Sequence, residues 1–435
     1  MKIHLIGIGG IGVSALAQYY LSKGHKVSGS DLVCSEITEF VKQKGVKTFI
    51  GNSAKNIKKD FDLVVFSPAV KENNKELKQA KKYKIKTISY PKALGELTKE
   101  YYTIAVAGAH GKSTTAAMLA LVLEKAGLDP TVIVGTKVKE FNNSNFRAGK
   151  SKLLVIEACE YDSSFLYYSP KIIVVTNVDK EHLDYFKTFE KVQKAFHDFI
   201  ARLASTSNAS RGGCDGVLIY NKDDHNIPIP ENSRIKTFGY SLEQPEAIKI
   251  KKILQIPGMH NVSNAMAVLQ AARILEIPDE IIFMALSDFK GTWRRFEILK
   301  QGKLTVISDY AHHPSEISAT LRAAREKYKN KKIWCVFQPH QHQRTHYLFN
   351  DFVKTFQEAR IDNFIITDIY DVAGRETKKI NKDVSSEKLV KKINKENVVY
   401  MLLDKIEKYL KENIASADVL IIMGAGDIYK LADKF

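Results

Sequence analysis

Residues Thr103–Gly127 read TIAVAGAHGKSTTAAMLALVLEKAG. An apolar strand-like run leads into Gly108-Ala109-His110-Gly111-Lys112-Ser113-Thr114, and an alanine- and leucine-rich helical run follows. Backbone N–H groups in such a loop can face phosphate oxygens, and the helix N-terminus adds positive potential. A lysine here reaches the β- and γ-phosphates, and the Ser113 hydroxyl can ligate Mg²⁺. Val106 stands where the usual G-x-x-x-x-G-K-[ST] spacing has its first glycine, so this is a shortened G-x-x-G-K-S-T form. A chance loop before a helix is the competing account, and the strand–loop–helix context argues against it.

Working outward, short β-rich runs alternate with amphipathic stretches along the chain: KIHLIGI, DLVVFS, TIAVAG, LLVIEA, IIVVTN, LTVISDY, IWCVFQ, NFIITDI and VLIIMGAG. That alternation predicts an α/β fold with mostly parallel sheets, its strands apolar because both faces are covered. A chain of 435 residues exceeds one core and implies two to four domains. A second glycine-rich beginning opens the chain at Gly7-Ile8-Gly9-Gly10-Ile11-Gly12, with Asp31 19 residues beyond Gly12. This G-x-G-x-x-G run, read alone, suggests a nicotinamide or flavin dinucleotide site. Residues 89–102 read as the junction after the first domain, and 287–303 as a second change. The polar stretch 201–216 reads as a surface loop or short insertion.

Composition is that of an ordinary globular protein, 44% hydrophobic and 26% charged. Cys34, Cys159, Cys214 and Cys335 form no C-x-x-C pair, which argues against a zinc ribbon or disulfide framework. No apolar run approaches the ~20 residues of a membrane helix, and no signal peptide is visible, so a reduced cytoplasm is expected. The net charge of +17 admits a basic patch for nucleic acid, lipid or phosphorylated metabolites. Lysines spread over solvated faces are the plainer account, as in the wet-helix pattern of Lys75–Lys86, and no nucleic-acid motif accompanies them.

Other polar clusters sit just past apolar runs. Glu157 ends LLVIE, either as a metal ligand or as an ordinary strand-terminal acid. Asn177, Asp179, His182 and Asp184 follow IIVVT; His182 is structural or, with Glu157, serves a second metal. His260, Asn261 and Asn264 occupy the first turn of a helix after Pro257-Gly258; Asn261 either caps it or reads a purine edge. Arg294 and Arg295 lie at a boundary where one can clamp a γ-phosphate on closure. Asp309, Tyr310, His312, His313, His340 and Arg344 lie past two later strands, where α/β folds bind ligands. Counting His342 and His346, five of the twelve histidines fall between 312 and 346, suggesting a metal site or a substrate pocket.

Taken in order, GIGGIGVSALA, GSD, GAHGKSTT, EACEYDSSF, TNVDKEHLDYF, PGMHNVSNA, RRFE, DYAHHP, FQPH and GAGDI resemble the Mur ligase family over essentially the whole chain. The resemblance implies three domains. Residues 1–97 form a Rossmann-like domain for a UDP-sugar, 98–291 a central P-loop ATPase-like domain, and 292–435 a Rossmann-like C-terminal domain. It implies ATP-driven amide formation between UDP-N-acetylmuramate and L-alanine through an acyl phosphate. The cofactors it implies are ATP and two Mg²⁺ ions, and it implies a cytoplasmic monomer or homodimer in peptidoglycan synthesis, with no nucleic acid and no membrane span.

By the same resemblance, Gly9, Gly10, Gly12, Ser30, Asp31 and Ser67 hold the sugar nucleotide. Gly108, Ala109, His110, Gly111, Lys112, Ser113 and Thr114 hold the phosphates. Ser113, Glu157 and His182 ligate metal. Asn261 and Asn264 read adenine, Arg295 reaches the phosphates, and Asp309 and Tyr310 touch the nucleotide. His312 and Arg344 position alanine, Arg344 pairing with its carboxylate. Gln341 stands where relatives often carry arginine, which removes one expected carboxylate contact. Ala109 and Ser113 replace common threonines. The alternative within the family is a peptide-recycling ligase that adds a tripeptide. Outside it stand a nicotinamide-dependent oxidoreductase and a nucleic-acid-stimulated ATPase.

Overall fold

A computed structural model describes residues 1–204, 216–231, 234–371 and 383–435. Strands β1 Lys2–Ile6, β2 Lys26–Asp31, β3 Lys47–Ile50, β4 Leu63–Phe66 and β5 Lys86–Ser89 form the first sheet, in order β3-β2-β1-β4-β5. All its pairs are parallel, the arrangement of a Rossmann-like half with its ligand edge at the β1 and β4 ends. The second sheet comprises β6 Tyr102–Ala107, β7 Thr131–Val138, β8 Ser144–Arg147, β9 Leu153–Glu157, β10 Ile172–Val175, β11 Gly216–Asn221 and β12 Ile235–Tyr240. Its order is β12-β11-β10-β6-β9-β7-β8, parallel except for the β7–β8 hairpin. The third comprises β13 Glu297–Lys300, β14 Thr305–Asp309, β15 Ile333–Phe337, β16 Asn363–Ile366, β17 Val398–Tyr400 and β18 Val419–Met423. It runs β13-β14-β18-β15-β16-β17, antiparallel only at β13–β14.

The fold is therefore α/β with three mostly parallel sheets of Rossmann-like and P-loop-like kind, as expected. Each apolar run read as a strand forms one. Among the strands that patterning did not announce, KTFI at β3, KTIS at β5 and SNFR at β8 are four residues each, whereas TVIVGTKV at β7 and GVLIYN at β11 are longer and apolar. Sheet pairing, which is non-local, makes the short ones strands. Residues 205–215 of the polar stretch, Cys214 included, lie outside the described residues.

The chain packs as two compact units. One holds Met1–Asp179, Glu190–Ile250 and Asn264–Phe289; the other holds Lys180–Phe189, Lys251–Ser263 and Lys290–Phe435. In the first unit the helix Lys112–Lys125 is buried along Ser113–Leu123. Its apolar all-round composition suits a helix enclosed on every side. A buried polar cluster ties the helix Ile11–Ser22 to β8. Gln18 donates to Asn145 Oδ1 at 2.8 Å, Asn145 donates to Ser14 Oγ at 2.9 Å, and Ser144 donates to Gln18 Oε1 at 3.1 Å. In the second unit, alternate residues of the third sheet feed two cores. Ile307, Phe337 and Phe364 face one side, and Val306, Val336 and Ile365 the other. No helix among the described residues is long and apolar enough to cross a membrane.

Candidate active site

In the first unit, β6 lies inside the second sheet and delivers the loop Gly108–Gly111 to the start of the buried helix. Gly108 and Gly111 take φ of +139° and +84°. A Cβ at Gly111 would lie 2.3 Å from Asn264 Oδ1, and one at Gly108 2.0 Å from Thr176 Oγ1. Both positions need glycine for conformation and for room. The neighbouring strand end clamps the loop. Ala109 N–H donates to Asn177 O at 2.9 Å, His110 N–H to Asn177 Oδ1 at 2.8 Å, and Thr176 Oγ1 to His110 O at 2.6 Å. The Ala109 and His110 amides are thus turned to Asn177, where the sequence reading had them facing phosphate. The His110 ring meets Asp179 at 3.0 Å. At the helix start, Gly111 supplies no side-chain cap and the first turn holds no acid, so the amides there, those of Ser113 and Thr114 among them, suit an anion.

Lys112 Nζ donates to Gly108 O at 2.6 Å, to Ala109 O at 3.0 Å and to Glu160 at 3.1 Å. Burial by itself would lower its pKa; the Glu160 carboxylate, with Cys159 and Glu157 behind it, lifts the ammonium above its ordinary value. Ser113 Oγ donates to Glu157 Oε2 at 2.8 Å, and Gly135 N–H donates to the same oxygen at 2.8 Å. A hydroxyl and a carboxylate side by side form an all-oxygen set, which suits a hard divalent cation.

The glycine run at the chain start is equally constrained. Gly7 takes φ +82°, and Cβ atoms at Gly9 and Gly12 would strike Asp31 Oδ2 at 2.8 Å and the Tyr90 hydroxyl at 2.7 Å. Gly10 starts the helix Ile11–Ser22 without a side-chain cap. Gly9 N–H donates to Asp31 Oδ2 at 2.8 Å. Asp31 therefore shapes this loop with the carboxylate that the sequence reading reserves for a ligand. Ser67, past β4, packs on Gly7 and accepts from Ala69 N–H at 3.3 Å. Ser30 is turned inward, its hydroxyl donating to buried Glu76.

The second unit gathers another set. Arg344 donates to Glu181 Oε2 at 3.4 Å and to His340 O at 3.2 Å, and its Nη1 is 3.1 Å from His340 Nδ1. Burial would raise the pKa of Glu181; Arg344 and then His313, His182 and His312 hold it well below the usual carboxylate range. His182 adopts a left-handed conformation (φ +55°) at the start of the short helix Leu183–Phe186. A pocket lined by Glu181, His182, Gln341, Arg344 and Tyr347 opens here. His312 Nδ1 is 3.0 Å from Tyr310 O and 3.2 Å from Glu316, and burial pushes its pKa down to about 4.

Three residues depart from simple expectation. Both Asp309 oxygens accept backbone N–H groups, from Ala311 and Phe296, each at 2.7 Å, and burial lifts its pKa to about 6. It staples the chain at the end of β14. Arg294 is buried and donates to the carbonyls of Gly424 and Gly426, binding RRFE to GAGD, while Arg295 stays partly exposed beside Glu316 (3.5 Å) and the Tyr310 ring (5.1 Å). Asn261 is the third residue of the helix Met259–Ile274 and donates to Pro257 O at 2.6 Å. An N-cap side chain accepts, so this is not capping. Asn264 belongs to the first unit, against Gly111.

Models of the Mur ligase family match nearly the whole chain: its catalytic domain over residues 2–102, middle domain over 106–272, and glutamate ligase domain over 294–426. A UDP-N-acetylmuramate–L-alanine ligase of Clostridium kluyveri is 39% identical, covering 100% of this chain and 97% of its own. The chain belongs to the Mur ligase family. A ligase of the same name from Acetivibrio thermocellus is 38% identical over 100% of this Mur ligase and 95% of its own chain. The crystal structure of UDP-N-acetylmuramate-alanine ligase MurC from Thermotoga maritima aligns with TM-score 0.79 and 28% identity, covering 100% and 98%. The murein peptide ligase of Psychrobacter arcticus, at 21% identity and TM-score 0.71 over 100% and 98%, shares the fold.

Two buried acids of this Mur ligase, each paired with a candidate site cation, were not singled out in the sequence: Glu160 and Glu181. Both stand inside motifs quoted above, EACEYDSSF and TNVDKEHLDYF. The signal was an acid one or a few residues from a stronger candidate. Nothing in the spacing said that each would be buried against a cation.

Proposed function

We infer that this Mur ligase joins L-alanine to the lactyl carboxylate of UDP-N-acetylmuramate at the expense of ATP. The observation that carries the reading is end-to-end similarity to ligases of that name. The geometry is compatible with the chemistry. In the first step a carboxylate oxygen attacks the γ-phosphorus and ADP leaves. In the second the amine of alanine attacks the acyl phosphate carbonyl, and phosphate leaves with the C–O electron pair. Each step brings anions together, so cationic groups must sit where charge builds up.

Lys112 and the uncapped helix start are placed to bind the β- and γ-phosphates, with Arg295 as a second cation. Ser113 and Glu157 are the residues that would hold Mg²⁺, which supplies charge neutralisation when bound; a second ion is proposed at His182. Gly9, Gly10 and Gly12 let backbone approach the sugar nucleotide's diphosphate, with Ser30, Asp31 and Ser67 beside them. Arg344 is assigned to the alanine carboxylate, and His312, neutral at pH 7, to orient the amine. Asn261, Asn264, Asp309 and Tyr310 are proposed around the nucleotide. The division of labour is 1–97 for sugar nucleotide, 98–291 for ATP and 292–435 for amino acid, in a cytoplasmic monomer or homodimer that needs no nucleic acid.

The test is phosphate release with ATP, Mg²⁺ and UDP-N-acetylmuramate, adding L-alanine or a tripeptide. Release on adding alanine is expected. Release only with tripeptide would replace this reading by peptide recycling.

A further inference from the structure

Lys112 is saturated before any phosphate reaches it. An ammonium has three hydrogens, and Gly108 O, Ala109 O and the Glu160 carboxylate take them at 2.6, 3.0 and 3.1 Å. Glu160 is 1% exposed. It is also anchored. Ser163 N–H donates to Glu160 O at 2.9 Å, and the following turn ends in Phe165, stacked on Phe199 at 4.4 Å and edge-on to Phe196 at 5.4 Å. The backbone that carries Glu160 is therefore held independently of Lys112. Glu157, bonded to Ser113, is close enough to act on the same ammonium. A polyphosphate entering alone would meet two carboxylates and share one ammonium with them. Like charges at such range in a poorly hydrated site are costly.

We propose that Glu160 makes nucleotide binding conditional on a divalent cation: it occupies Lys112 and repels metal-free polyphosphate, so that ATP enters the loop only with its cation. The inference rests on reading Gly108–Thr114 as the ATP phosphate loop. It adds a residue whose charge selects the ligand's metal-bound form.

The experiment is equilibrium binding of ATP to the full chain, by calorimetry, with Mg²⁺ or with EDTA. Wild type is expected to bind ATP at least about tenfold more tightly with Mg²⁺. Glu160→Gln should tighten metal-free binding about tenfold and change binding with Mg²⁺ less than about threefold, narrowing the ratio. Glu160→Asp keeps the charge and should keep the wild-type ratio. An unchanged ratio in a folded Glu160→Gln protein overturns the proposal, as does an Asp variant that behaves like Gln. Equal affinity of wild type with and without Mg²⁺ overturns it even if neither variant folds. Absence of ATP binding with Mg²⁺ would instead overturn the phosphate-loop reading on which the proposal stands.

Discussion

Arg344 and Glu181 form an ion pair at 3.4 Å, their side chains 9% and 5% exposed. The contact is single. A bidentate carboxylate would bind a guanidinium better. Gln341 in the pocket beside the pair brings no charge, and Arg344 is the residue proposed above for the carboxylate of the amino acid. Arg344→Ala should raise the KM for alanine by about 100-fold, the scale of a lost charge-assisted contact of ~3 kcal/mol, with the KM for ATP little changed. Initial-rate phosphate release at varied alanine checks this. The variant should also unfold at lower temperature, because Glu181 is left buried without its partner, and adding Glu181→Gln should recover part of the loss.

Lys112→Ala tests the phosphate loop. It removes the cation assigned to the transferred phosphate and strands Glu160, so turnover should fall by about 10³-fold or more. Binding of UDP-N-acetylmuramate, measured by calorimetry, should persist. Turnover near wild type would displace Lys112 from the reaction.

Gly111→Ala places a methyl 2.3 Å from Asn264 Oδ1 at φ +84°. The strain, about 1–3 kcal/mol, falls on the loop that starts the helix. ATP affinity should drop about tenfold or more, while thermal stability falls modestly; the comparison of calorimetric Kd with Tm separates the two.

His312 predicts a pH effect. Burial holds its folded pKa near 4, below the unfolded value of 6.5. Between these values the unfolded chain takes up the proton and the folded chain does not, so stability falls as pH drops from 6.5 towards 4. Asp309, raised to about 6, acts oppositely: between about 6 and 3.8 the folded chain holds the extra proton, which adds stability as pH falls. His312→Asn should therefore flatten the acid side of the Tm–pH curve by about 2–5 °C between pH 6.5 and 4.5, leaving pH 8 comparatively unaffected. A parallel shift at all pH values would mean that packing, not titration, is being read.

Much of the molecule was legible in its letters because local chemistry dictates it. Gly111 must be glycine, Lys112 opens a helix, and the buried strands announce themselves by apolar runs. The sheet-edge strands β3, β5 and β8 were not legible, because four residues become a strand only beside a partner. Charge partnerships were also hidden. The sequence set Asp31 beside the sugar nucleotide; that its carboxylate also accepts from Gly9 N–H appears only in the fold. The sequence offered Arg294 and Arg295 as a pair, and the fold buries one under the Gly424 and Gly426 carbonyls and leaves the other near Tyr310.

By itself, then, the sequence determined the α/β class, two glycine-rich loops each placed before a helix, and the family. These follow from spacing along the chain, where neighbours in sequence are neighbours in space. Only the tertiary structure decided that Glu160 holds Lys112 and Glu181 holds Arg344. Each pair joins residues 48 or 163 positions apart. Burial then makes the pairing compulsory, since a charge removed from water without a partner costs more than a marginally stable fold can supply.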